Sequence, residues 1–467
     1  MNAVKTSAAK NGILKGAMII SLGGLIAKIL GAVYRVPLTN ILKSEGLGVY
    51  QTAFPVYSIL LTFSSSGVPS ALAKLISSGE DKDKLLSRAV RLFIPLGILG
   101  SLLMAALAAP LSQWQGNPQA KYAYIALSPS VLLVSAISCA RGYFQGLNDM
   151  YPTAASQVVE QTVKLAFGLF LCYLFRNDYA LAGAAACFAV TLSELAALAF
   201  LLLKLKKRAE KPKEYKSVSV RRILATVIPV TISAILLPLA RMYDSFTIIN
   251  LIGVYSDDAK ALYGIYTGSV ESVVGVPVAL CYGAAVSSLP VVSAAIAAGD
   301  TKKAKNKTLE ALSLTLFLSA ILSTALSVFA PFVVNLLFKG LSVSERELTA
   351  ELLRFSGINV VLLATVQTCA ALLVAYGKPY VSCAFLFAGL IVKAVTEIFF
   401  LKNPAINIFG ALYSDILCYL IAIFGDLVYI IIYNLKLRNK YNEHNACVYG
   451  RRGRRFNSRD PQRAEKR

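Results

Sequence analysis

Long, mostly apolar runs recur along nearly the whole chain, and they constrain its fold more than any other feature. Stretches such as Gly16 to Ile29, Ala89 to Leu111 and Ile408 to Tyr433 reach or approach the roughly 20 residues that a helix needs to cross hydrocarbon. Only 15% of the 467 residues are charged and 56% are hydrophobic, too few polar groups to cover a water-soluble globule. The runs predict an all-α integral membrane protein with about twelve transmembrane helices, near 14–35, 50–73, 90–112, 122–144, 152–175, 180–203, 223–252, 263–290, 309–337, 352–376, 380–401 and 408–435.

The positions of Lys and Arg orient these spans, because cytoplasmic loops are enriched in both. With the N-terminus inside, 34 of the 47 fall in cytoplasmic segments, eight in external ones and five (Lys28, Arg35, Lys164, Arg241, Lys393) inside or at the ends of spans. The expected placement is therefore multi-pass in the plasma membrane with both termini cytoplasmic. Lys5, Lys10 and Lys15 precede an apolar stretch, but Lys28 interrupts it and no small-residue cleavage site follows, so a retained first helix is expected. The net charge of +22 is explained by this bias and implies no nucleic acid.

Seven of the eight cysteines (all but Cys447) lie in predicted spans without CxxC spacing, which argues against disulfides or zinc. The single histidine, His444, lies near the C-terminus, and no Walker A sequence appears. The reading is a non-enzyme with no cofactor and no metal, whose energy source would be the membrane potential, H+ or Na+.

Residues 204–222 are rich in Lys and Arg and contain Pro212, reading as a basic cytoplasmic linker between six-helix lobes at 1–203 and 223–437. The basic tail 438–467 is expected to be disordered, with anionic lipid head groups as its partner. The lobes echo each other. Pro55 precedes Gly67-Val68-Pro69 as Pro277 precedes Ser288-Leu289-Pro290, and Pro152 leads to Lys164 as Pro379 leads to Lys393. Six spans per lobe give both repeats one orientation, a parallel-type duplication. Pro55 and Pro277 each remove a helical hydrogen bond, so each is either a simple bend or a hinge and gating element.

Ionisable groups at mid-bilayer cost a few kcal/mol and are candidates for function. Lys28 and Arg35 lie two turns apart on one helix face. Glu160 and Lys164, and Lys393 and Glu397, are spaced four apart and can neutralise each other, as structural pairs or as lining of a cavity. Arg241 and Asp244 form another near pair, and Glu271 reads as a lone acid. Lys28, Arg35, Arg241, Glu160, Lys164, Lys393 and Glu397 are candidate substrate-binding groups of a central cavity. Asp244 and Glu271 are candidates for coupling or gating. Glu194, Asp415 and Asp426 read as structural.

Lys28-Ile-Leu-Gly-Ala-Val-Tyr-Arg35, Gly46-Leu-Gly-Val-Tyr50, Gly67-Val-Pro-Ser-Ala-Leu-Ala-Lys74, Arg141-Gly-Tyr-Phe-Gln-Gly146 and Gln157-Val-Val-Glu-Gln161 resemble the polysaccharide-exporter branch of the multidrug/oligosaccharidyl-lipid/polysaccharide (MOP) superfamily, the branch of the stage V sporulation and lipid II flippase proteins. The likeness covers about residues 10–437. It implies two lobes around a central cavity, alternating access, and export of a lipid-linked sugar precursor without covalent chemistry. It also implies that Lys28 and Arg35 line a cationic cavity. The chain departs from the lipid II flippases where they place further arginines before the proline of the second and eighth helices, carrying Thr52 to Phe54 and Glu271 to Ser272 instead.

The residues alone support the same class. Unneutralised Lys and Arg in a cavity would replace part of the hydration of a sugar diphosphate head, and an inside-negative potential would drive that head outward. Two other classes compete: a cation-coupled multidrug antiporter using Glu271, Asp244 or Glu397, and a non-transporting scaffold for envelope or spore-coat synthesis enzymes. Expected partners are the lipid-linked sugar, membrane lipids and envelope-synthesis enzymes.

Overall fold

The computed structural model describes residues 2–65, 67–206 and 220–456; residues 1, 66, 207–219 and 457–467 lie outside the described residues. So do the side chains before 19, after 435, and at 21, 25, 28, 63–65, 229, 230, 233, 284 and 286. Most of the expected linker, and the side chains of the expected tail, thus fall outside the description, as does the side chain of Lys28.

Every regular element among the described residues is helical. The order is α1 (Asn2–Ser65), α2 (Gly67–Ser77), α3 (Lys82–Ala106), α4 (Ala108–Trp114), α5 (Lys121–Gly146), α6 (Tyr151–Leu174), α7 (Tyr179–Lys206), α8 (Val220–Ile252), α9 (Ala259–Gly264), α10 (Glu271–Val286), α11 (Leu289–Ala297), α12 (Thr301–Val328), α13 (Ala330–Leu337), α14 (Val343–Phe355), α15 (Gly357–Ala375), α16 (Pro379–Leu401) and α17 (Phe409–Phe456). A π-helical turn, Ile265–Val270, joins α9 to α10.

Ten helical segments of the described chain are long and apolar enough to cross a membrane. The first, Leu22–Ser77, is 56 residues long and accommodates two crossings. α6 is not among the ten, because Glu160, Lys164 and its glutamines lower its hydropathy, yet its 24 residues span about 36 Å at 1.5 Å per residue. Both readings together restore the twelve expected spans. Exposed Leu102, Phe170, Leu203, Phe317, Phe399 and Phe424 make the apolar outer surface that lipid covers.

The structure departs from the sequence reading at three joints. No loop separates the first two crossings: α1 is broken only at Lys43, with φ 54°. The expected span 309–337 ends at Val328, and α13 begins anew after Phe329. The expected start at 352 falls inside α14, opened by a capping box in which Ser342 and Glu345 satisfy each other's backbone N–H.

By proximity the chain forms two compact units. One comprises Met1–Val276, Ala325–Gly357 and Lys393–Ser414; the other comprises Pro277–Thr324, Ile358–Val392 and Asp415–Arg467. The boundaries cut through individual helices and so differ from the sequence halves 1–203 and 223–437. The first unit has two apolar cores, one around Tyr34, Leu38, Tyr57 and Tyr124 and one around Leu72, Leu85, Phe93 and Phe144. The second has a core around Val292, Leu372, Tyr376 and Ile430.

Within the first unit, α1 beyond Lys43 crosses α9 at glycines. A Cβ on Gly264 would lie 2.4 Å from the Ser44 carbonyl oxygen and 2.6 Å from the Gly48 nitrogen. Such close approach lets backbones pack where no water drives association. It also brings Tyr263 to α1. Pro55 has no N–H for the carbonyl of Gln51, four residues earlier, and the Tyr263 hydroxyl donates to that oxygen at 3.2 Å. The next carbonyl, Thr52, accepts from Gln115 Nε2 at 3.1 Å, and Gln115 reaches Ser245 on α8 at 2.7 Å.

The α13–α14 hairpin is pinned to α1 beside the Lys43 break. Asn40 Nδ2 donates to the Leu337 carbonyl at 2.8 Å, and its Oδ1 accepts from the Gly340 N–H at 2.8 Å. At Glu345, burial opposes ionisation, but hydrogen bonds from Ser44 and Ser342, together with Lys43, outweigh it and hold the carboxyl below its usual value.

Two outcomes are expected. Gly264→Val should lower the unfolding temperature of the detergent-purified protein, overpacking by about 1–3 kcal/mol, whereas Gly283→Ala, with nothing within 4 Å of the added carbon, should not. A group with a depressed folded pKa stabilises fully above its unfolded value, about 4.3 for Glu, and loses that contribution as pH falls through the folded value. Wild type should therefore exceed Glu345→Gln in unfolding temperature by a constant margin above about pH 5, a margin that narrows below about pH 4.

Candidate functional site

The first unit gathers ten of the eleven candidate residues, and the pairs it makes are mostly not those that spacing suggests. On α16, Lys393 and Glu397 are one turn apart, but the Lys393 ammonium forms its ion pair with Asp244 on α8, at 2.8 Å. Both are almost fully buried, as is Glu397 at 0% exposure. The Tyr243 hydroxyl donates to the Ala394 carbonyl at 2.6 Å and braces the same two helices.

Arg241 reaches Glu271 on α10. Its guanidinium is 3.7 Å from the Glu271 carboxylate and its side chain is 58% exposed. Glu271 is therefore not a lone acid. Asp244, three positions along α8, faces Lys393 on α16. Arg35 donates to the Ser272 hydroxyl, which in turn donates to the Gly268 carbonyl at the π-helical turn. Arg241 and Glu271 lie within electrostatic reach of Arg35.

On α6, Glu160 lies within electrostatic reach of Lys164 and also reaches another helix. Glu160 accepts from Arg141 at 2.9 Å, and Arg141 Nε donates to the Ser156 hydroxyl at 3.0 Å. Lys164 lies over the ring of Tyr34, 5.7 Å from its centroid, and within electrostatic reach of Glu160, Arg35 and Glu194. Pro55 is buried in α1. Pro277 lies in α10 at the start of the second unit.

Arg141 and Tyr57 are functional candidates that the sequence reading missed. Arg141 lies near the end of the expected span 122–144, and α5, which continues to Gly146, holds it inside the helix opposite Glu160. The Tyr57 hydroxyl donates to the buried Glu194 carboxylate. Asp426, matching Glu194 in the repeat, accepts from Ser382 at 2.7 Å within the second unit. No apolar-to-polar pattern along one helix announces such cross-helix partners.

Of the five basic groups, Lys393, Arg241 and Arg141 each face a carboxylate. Arg35 and Lys164 touch a hydroxyl and an aromatic face, while Glu271 lies within electrostatic reach of Arg35, and Glu160 and Glu194 within reach of Lys164.

A bundle of membrane-crossing helices with charges held inside it defines a multi-pass transporter. The fold is that of the MOP superfamily: an inward-facing multidrug resistance MATE family transporter superposes with a TM-score of 0.73 over 88% of this chain and 96% of that one, at 16% identity. The chain belongs to the polysaccharide biosynthesis protein family, which matches residues 13–296, and the MatE family matches 229–399.

Its relatives in Bacillus subtilis (strain 168) include the uncharacterized membrane protein YabM, 30% identical over 85% of this chain and 76% of that protein. Stage V sporulation protein B is 26% identical over 71% and 67%, and the lipid II flippase MurJ is 24% identical over 90% and 82%.

Removing Lys393 alone would leave Asp244 buried without its cation. Lys393→Met should cost about 3–5 kcal/mol, seen as lower folded yield and unfolding temperature, and the double change with Asp244→Asn should recover most of it.

Proposed function

We propose that this chain flips a lipid-linked oligosaccharide or cell-wall precursor, an undecaprenyl-pyrophosphate-linked sugar, from the cytoplasmic to the outer leaflet by alternating access between lobes 1–203 and 223–437. The observation that carries the reading is the pair of basic side chains, Arg35 and Lys164, whose direct contacts are a hydroxyl and a ring, with Glu271, Glu160 and Glu194 only within electrostatic reach. A diphosphate crossing hydrocarbon must exchange its water for donors of this kind, and charge-assisted bonds to phosphate are the strong ones. Relatives named as a lipid II flippase and a sporulation protein support the same substrate class.

In this reading Arg35, Lys164 and Lys28 contact the phosphates. Arg241 exchanges Glu271 for the substrate, so that Glu271 responds to occupancy, and Pro55 and Pro277 act as hinges. Lys393, Asp244, Glu160 and Glu397 hold the helices that frame the path. Both termini lie in the cytoplasm of a plasma-membrane protein, and no cofactor is required, since an inside-negative potential favours outward movement by about 2.3 kcal/mol per charge per 100 mV.

Depletion should cause one undecaprenyl-linked intermediate to accumulate on the cytoplasmic side, as read by mass spectrometry of lipids accessible from each leaflet. Wild type should clear it, and the combined Arg35→Gln, Lys164→Gln variant should not. An unchanged lipid profile on depletion would overturn the reading. The cation-coupled antiporter instead predicts drug resistance on overexpression that Glu271→Gln abolishes, and a scaffold predicts mislocalised synthesis enzymes with normal lipids.

A further inference from the structure

The α13–α14 hairpin connects two membrane-crossing helices, α12 ending at Val328 and α15 starting at Gly357, so it lies at a membrane surface. On α13, Phe332 and Leu336 are 65% and 55% exposed and share one face at i and i+4, and the cap residue Phe329 is 58% exposed just before them. A short helix with such a face beds into the boundary between head groups and acyl chains.

Beside that face is a cavity of about 390 Å³ walled by Pro331 and Asn335 of α13 and by Arg346, Glu347, Ala350, Glu351 and Arg354 of α14. Its charges lie in two adjacent rows, Arg346 and Arg354 flanking Ala350 in one, Glu347 and Glu351 in the other. The two arginines are about 12 Å apart along the helix. No ion pair within 4 Å joins the four groups, and Arg346 Nε is shielded from solvent without a hydrogen-bond partner among the described residues. A groove holding both signs of charge, not closed on itself, fits a ligand that also carries both.

We propose that this groove binds the head group of a zwitterionic phospholipid, with its phosphate against Arg346 and Arg354 and its ammonium against Glu347 and Glu351. The arginines supply donors in a fixed fork suited to phosphate. The row of carboxylates disfavours a head group with a phosphate and no cation. The apolar stripe on α13 lies where the acyl chains of the same lipid would run.

The test is native mass spectrometry of the full-length protein in detergent, titrated with phosphatidylethanolamine, phosphatidylglycerol and free phosphoethanolamine. Wild type should bind phosphatidylethanolamine more tightly than phosphatidylglycerol. The Arg346→Gln, Arg354→Gln pair, and separately Ala350→Trp, which fills the groove without altering charge, should each weaken it by about tenfold at unchanged unfolding temperature. The Glu347→Gln, Glu351→Gln pair should reverse the preference toward phosphatidylglycerol. Equal affinity for free phosphoethanolamine would overturn the membrane-lipid source, tighter phosphatidylglycerol binding by wild type would overturn the zwitterionic assignment, and retention of binding by Ala350→Trp would overturn the site even if the arginine pair failed to fold.

Discussion

The hydroxyl of Tyr263 on the carbonyl of Gln51 is the contact around which the first unit is organised. In hydrocarbon a carbonyl stripped of its helical donor costs several kcal/mol, and Pro55 strips this one. A phenol reaches it only because α1 and α9 cross at Gly48 and Gly264, with no side chain between the backbones. With that crossing fixed, the π-helical turn and Ser272 follow a few residues on, and Arg35 finds its hydroxyl partner there. Gln115 supports the neighbouring Thr52 carbonyl from a third direction and ties α8 into the same arrangement.

The charges obey a related rule. Each costly group is answered, but the answer comes from another helix: Asp244 for Lys393, Glu271 for Arg241, Arg141 for Glu160. Cross-helix pairing locks register between helices in a way that pairing within one helix does not. Arg35 and Lys164 differ in touching neutral groups directly, with their acidic neighbours only within electrostatic reach. The helical scaffold and the anion-binding capacity are thus two outcomes of one set of expensive residues.

Most of the fold was legible in the sequence because hydrophobic runs and lipid thickness share a length scale. The membrane-crossing segments follow from that match, whereas the family resemblance rests on motifs such as Arg141-Gly-Tyr-Phe-Gln-Gly146. The intramembrane charges were legible as members of a set, since any ionisable residue inside an apolar run stands out. Their partners were not. Spacing of four residues suggested Glu160 with Lys164 and Lys393 with Glu397, but spacing reports only what shares a helix face. It carries no information about a facing helix, which supplies Arg141 to Glu160 and Asp244 to Lys393. The α13–α14 hairpin was missed for a different reason: the apolar sequence of α13 continues the hydropathy of α12, and only the helix break after Val328 separates a crossing from a surface helix.

The single-residue break at Lys43 has a mechanical consequence. Crossings joined by a loop can tilt independently, because slack chain absorbs the difference. Here two rigid rods meet at one residue, and that residue is a fulcrum. A few degrees of swing in the rod carrying Arg35 becomes an ångström-scale displacement at the far end of the rod carrying Pro55. The hairpin fastened at Asn40 and Ser44 grips the lever at its pivot, where a small restraint controls the largest travel.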